Sequence, residues 1–404
     1  MVKPERRTRG DVLAAAAIVM VIAVAAGLIW WSSDARATIS RPAASPVPAL
    51  QSARDVPTSL HELWSAPSPA TTRPVVAGGS VVTGAGREMD GRDPATGNVL
   101  WSYARNVDLC GVTYVYNDAV AVYPDARGCG QVTTIDGRTG LRHYSRTAYA
   151  DPTVTLSSDG STVLSAGASR LELWRSDMVR MIGYGALDAR IKPDVPATPL
   201  CRLTSAAAST AAVSVLEACP GQGDVRLALL KPADEEDQPT RKIVNLPGVR
   251  VDGGAKVIAV SDTTTAVYVP TPNPAVSVID DTGTTIASTA LATPASPQSR
   301  ASQAGDLVTW WTGDSVLVFE ANGMKYKYTV SAVGGQAPVG PGTLVAGKLL
   351  VPVTTGYDVF DPQTGAGISH IDLKRPPEDT AVVPQIAGSI LLEQRGDTLV
   401  ALGR

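Results

Sequence analysis

The chain has 404 residues, of which 18% are charged, with a formal net charge of −3, 37 glycines, 30 prolines and only 2 phenylalanines. That length accommodates two or three ordinary domains or one large β architecture. Nothing in the near-neutral charge suggests a nucleic-acid binder, and the Gly, Pro, Val and Thr content favours short strands joined by tight turns.

Residues 1–11 form a basic tail with Lys3, Arg6, Arg7 and Arg9 against Glu5 and Asp11. Residues 12–31 carry no charge, and Trp30 and Trp31 close the run. Twenty helical residues at about 1.5 Å each span a hydrocarbon core of roughly 30 Å. Tryptophans belong at the membrane interface, and flanking positive charge stays on the cytoplasmic side. The expected protein is therefore a single-pass membrane protein with a cytoplasmic N-terminus and an extracytoplasmic remainder. Ala35-Arg36-Ala37 has the small-x-small form of a signal-peptidase site, so cleavage after Ala37 stands as an alternative. Against it, the apolar run is longer than that of an ordinary cleaved signal. No cysteine follows the run, which excludes a lipoprotein anchor. Residues 32–59 are rich in Pro, Ser and Ala, lack periodicity and read as a tether.

From residue 60 to 404 the sequence repeats with a period near 40 residues. One mark is a short glycine or polar turn between two apolar runs, as in VVAGGSVVTG (75–84), LSSDGSTVLS (156–165) and VAGKLLVPV (345–353). Such two-residue loops signal β-hairpins. The second mark is Asp-x-x-Thr-Gly before another strand: Asp93, Thr96 and Gly97 leading to Trp101; Asp136, Thr139 and Gly140; Asp361, Thr364 and Gly365. Asp280-Asp-Thr-Gly283 is one residue short of it. Here Asp caps the turn through backbone N–H groups, and Gly takes the left-handed position. Seven units hold four strands each, residues 381–404 hold three, and a lone strand lies at 60–66. The expected fold is an all-β propeller of eight four-stranded blades, with seven as the alternative, its last blade completed by both ends of the chain. An acidic insertion at 233–240, ADEEDQPT, reads as a solvated loop.

The four cysteines fall into two local pairs, Cys110 with Cys129 and Cys201 with Cys219. Each pair brackets a hairpin, so two disulfides in an oxidising compartment are expected, against free buried thiols in a reducing one. The spacing of cysteines and of His61, His143 and His370 does not suit zinc.

The run Asp93-x-x-Thr-Gly-x-x-x-Trp101 at the last turn of a 40-residue unit resembles the quinoprotein-like (PQQ-like) β-propeller superfamily. That superfamily includes quinone-dependent dehydrogenases and outer-membrane assembly scaffold lipoproteins. Together with the N-terminal helix, the chain resembles the single-pass, membrane-anchored propeller proteins of mycobacteria and related actinobacteria. The resemblance implies an envelope location. Its dehydrogenase branch implies adjacent bonded cysteines, a calcium cluster and a catalytic Asp. This chain has no adjacent cysteines and few aromatics, so no position carries over.

Asp281-Thr-Gly-Thr284 matches an aspartic-protease string but occurs once, in the register of a blade turn. Arg9-Gly-Asp11 and Arg395-Gly-Asp397 are adhesion-like strings at a membrane flank and a hairpin turn. The tryptophans are expected in packing between blades. No catalytic, cofactor-binding or metal-binding residue is assigned and no cofactor is expected. The expected function is a non-catalytic binding or scaffold protein of the cell envelope, assisting envelope biogenesis or transport, with the membrane and envelope proteins as partners and no nucleic acid. The alternative is an envelope enzyme or small-ligand sensor using the central channel.

Overall fold

The structure is a computed structural model describing residues 8–188, 201–332, 335–375 and 381–404. Lys3, Arg6 and Arg7 of the basic tail lie outside the described residues. Helix α1 (Arg9–Ser32) starts at a capping box, in which Thr8 and Asp11 exchange side-chain and backbone hydrogen bonds. The helix is exposed throughout, and it is long and apolar enough to cross a membrane.

Beyond it lies an eight-bladed β-propeller with four antiparallel strands per blade. Blade I comprises Val75–Ala77, Ser80–Ala85, Glu88–Arg92 and Val99–Ala104, from the channel outward. Blades II to VII repeat this order, with inner strands Gly111–Val115, Thr155–Ser158, Arg202–Ala208, Lys256–Val260, Arg300–Ala304 and Thr343–Val345. Second strands such as Leu307–Trp311 and Lys348–Val353 are almost wholly buried, because neighbouring blades cover both of their faces. Outer strands such as Arg142–Thr147 and Thr285–Ala290 are mostly exposed and correspondingly polar. The core is therefore divided among the gaps between blades: Trp101 and Tyr103 of blade I pack with Ala119, Ala121 and Tyr123 of blade II.

Blade VIII joins Val382–Ala387, Ile390–Arg395 and Thr398–Gly403 to β2 (His61–Pro67), which pairs antiparallel with the C-terminal strand from His61↔Gly403 to Pro67↔Thr398. The ring closes through both ends of the chain, and the apolar edge of the last strand is covered.

Two segments differ from the sequence reading. Residues 32–59 are not a loose tether. Strand β1 (Ile39–Arg41) adds a fifth strand to the rim of blade I, pairing Ile39 with Ala104 and Arg41 with Ser102. The chain then runs over the face bearing the turns between first and second strands. Ala43 and Val47 donate to carbonyls of Thr139 and Arg138 in blade II, and Ala53 donates to Gly388 of blade VIII. Ser59 bridges to Asp372 of blade VII. Backbone pairing, which needs no hydrophobic period, holds this segment down. The insertion at 233–240 is likewise docked. The Glu236 carboxylate pairs with Arg180 of blade III at 3.1 Å, and its carbonyl accepts from the Gly183 N–H.

Candidate functional site

Each complete Asp-x-x-Thr-Gly segment forms the turn between a third and an outer strand. Asp136 Oδ1 accepts from the N–H groups of Arg138 and Thr139 and from the Thr139 hydroxyl, at 2.8–3.0 Å. Asp93 and Asp361 repeat this with Thr96 and Thr364. These backbone N–H groups hold the Asp361 carboxyl below its ordinary range. Gly97, Gly140 and Gly365 all have φ near +72°.

The glycines have a second role. An aromatic ring from the outer strand of the preceding blade lies against each. Trp64 of β2 covers Gly97, Trp101 covers Gly140, and Tyr328 covers Gly365. Trp64 and Trp101 donate through Nε1 to the carbonyls of Pro94 and Gly137, both at 2.9 Å, and the Tyr328 hydroxyl donates to Pro362 at 3.0 Å. The motif is thus a clasp between consecutive blades, and Trp64 extends it across the closing seam. Asp281-Thr-Gly-Thr284 lies at the corresponding turn of blade V, where Asp281 pairs with Lys231 of blade IV.

Three buried glutamates are paired with arginines. Glu393, fully buried, accepts from Arg375 and Arg395 at 2.6 Å and from the Tyr357 hydroxyl at 2.5 Å. Burial pushes its pKa up, but the two guanidiniums and the hydroxyl outweigh this and hold it below the ordinary value. Burial, then the Glu393 charge, drive the Tyr357 phenol well above its usual range. Glu172 is bound between Arg146 and Arg180, and Glu217 accepts from Arg226. Each of these three carboxylates thus ties its own strand to another segment of the chain through an arginine partner.

Both disulfides form within single blades: Cys110–Cys129 in blade II and Cys201–Cys219 in blade IV. Glu217 lies close to the second bond, but sulfurs bonded to each other offer a metal no thiolate.

The central channel holds a cavity of about 740 Å³. All inner strands run in the same direction around the ring, so their first residues share one end of the channel and the turns after them the other. At the first end stand Arg73, Lys256 and Arg300, from blades I, V and VI. At the other stand Asp159 and Asp262, which accept hydrogen bonds from Thr210 and Ser209 of blade IV and so tie neighbouring turns together. The Lys256 ammonium donates to the Pro297 carbonyl and the Ser299 hydroxyl. Burial, then the Arg300 charge, lower its pKa. Among the described residues, neither arginine has an ion pair. The sequence reading missed this trio, although each member falls at or just before the start of an inner strand, where superposed repeat units would have aligned them.

No family model and no curated protein matches the chain. Among solved structures it is similar to the C-terminal WD40 domain of Sif2, with a TM-score of 0.50 and 11% identity over 87% of this chain and 99% of that one. It is also similar to BamB from Moraxella catarrhalis, with a TM-score of 0.48 and 16% identity over 85% of this chain and 98% of that one. At such identities the Sif2 likeness shows the β-propeller fold alone.

Proposed function

We propose that this protein is a non-catalytic binding or scaffold protein of the cell envelope, anchored by α1 with its propeller outside the cytoplasm. The observation that carries the reading is the join between anchor and propeller. One helix suited to a membrane is followed almost at once by a strand paired to the rim of a closed, clasped ring. A ring so attached presents rigid faces at a bilayer, which suits docking of envelope proteins during envelope biogenesis or transport. Two disulfides agree with an oxidising compartment. Cleavage after Ala37 would leave β1 on the rim but release the anchor. The test is proximity labelling from a peroxidase fused after Arg404, active outside the cytoplasm, in cells making the full chain. A discrete set of envelope proteins is expected. Labelling of cytoplasmic proteins, or of no set above an anchor-only control, would overturn the proposal.

A further inference from the structure

The channel end that carries Arg73, Lys256 and Arg300 is unlike the rest of the molecule. Elsewhere, arginines facing the interior meet carboxylates: Arg375 and Arg395 meet Glu393, Arg146 and Arg180 meet Glu172, and Arg226 meets Glu217. In the channel three cations share one cavity, and no carboxylate among the described residues pairs with any of them. Among the described residues, the carboxylates lining that cavity are Asp159 and Asp262, which stand at the far end and are engaged with neighbouring turns. Gathering like charges in a partly enclosed space is costly; Lys256 is engaged with Pro297 and Ser299, but neither Arg73 nor Arg300 has an ion pair among the described residues. The cost is removed when an anion enters.

The walls say more about that anion. Beside the cations the lining is small and hydroxylic, with Thr155 and Ser299 at the starts of their blades and Ser157 and Ser302 further along the inner strands. Trp310 lies beneath but is 1% exposed, so no aromatic face is offered for stacking. A volume near 740 Å³ is that of a small-molecule site. Guanidinium forks match phosphate and carboxylate oxygens, and hydroxyl groups match sugar hydroxyls. We propose that this end of the channel binds a small anionic sugar, one bearing a phosphate or carboxylate on a hydroxylated body, with Arg73, Lys256 and Arg300 holding the charged group. This site is independent of any protein docked on the outside of the ring.

The test is calorimetric titration of the full chain in neutral detergent with glucose 6-phosphate, glucuronate, glucose and inorganic phosphate as separate probes. Saturable binding of at least one of the two anionic sugars and none of glucose is expected. Which sugar binds identifies the head group. Arg300→Gln and Arg73→Gln should each weaken binding roughly tenfold or more, while the unliganded melting temperature holds or rises, because each removes one of three like charges. Should either variant fail to fold, added salt gives the same information on the unaltered chain, because binding through these charges weakens with ionic strength. No binding of either anionic sugar, binding unaffected by the substitutions and by salt, or inorganic phosphate binding as tightly as both sugars would overturn the proposal.

Discussion

The glycines of the blade turns are constrained twice, by their own backbone and by their neighbour. Gly140 has a φ of +71°, and a Cβ there would lie 2.4 Å from the Trp101 Cβ. Alanine therefore combines a left-handed backbone with a collision inside the clasp between blades I and II. We expect Gly140→Ala to cost more than the roughly 1 kcal/mol of the backbone effect alone. Gly86 is a fitting control, with a φ of +55° and open space around it. Equal losses in urea unfolding of the two alanine variants would show that the clasp contributes nothing. Glu393 offers a second test. Its folded-state pKa lies below the ordinary 4.5, so its ion cluster contributes fully above that pH and fades as pH falls through the folded value. Glu393→Gln leaves Arg375 and Arg395 buried without a counter-charge, at a cost of about 3 kcal/mol or more at neutral pH. The difference from the unaltered protein should shrink below about pH 4.5; a constant difference would show that charge is not the cause. Little of this was legible beforehand. The Asp-x-x-Thr-Gly spacing announced the turns, but the aromatic each turn receives comes from the preceding blade, about 35 residues upstream in blades I and II.

At the scale of elements, β2 completes blade VIII, and Trp64 places the first clasp of the ring against Gly97. A chain starting at Thr38 keeps everything beyond the helix. One starting at Asp55 loses β1 and most of the docked segment. One starting at Thr71 lacks 16 further residues (71 minus 55) and with them the closing strand. We expect the melting temperature to fall modestly from the first to the second and far more from the second to the third. Equal values for the last two would show that β2 does not close the ring. The orphan strand at 60–66 was legible because the unit count left a blade one strand short. The docking of residues 39–59 was not, because that segment is held by backbone hydrogen bonds and scattered single side chains, such as buried Val47, instead of an apolar stripe.

For the molecule as a whole, repetition made the architecture readable: each blade restates the same strand order and turn, so errors in one unit are corrected by the next. Features belonging to the ring as an object escaped that reading. The three channel cations come from blades I, V and VI and lie as much as 227 residues apart (300 minus 73), so only closure brings them to one cavity. The docked segment is another such feature, and it bears on mechanics. The seam between blades VIII and I is where a propeller closed by its own termini would first be pulled open, and an anchor attached directly to β2 would tug on that seam. Here a pull on the helix reaches β1 on the rim of blade I first. It then has to strip, in turn, the bonds to Thr139, Arg138 and Gly388, and that from Arg404 to the Asp55 carbonyl, before any load arrives at β2. With α1 held in a membrane, the segment would act as a strain relief, fastening the lead to the casing so that the join inside is the last to be tensioned.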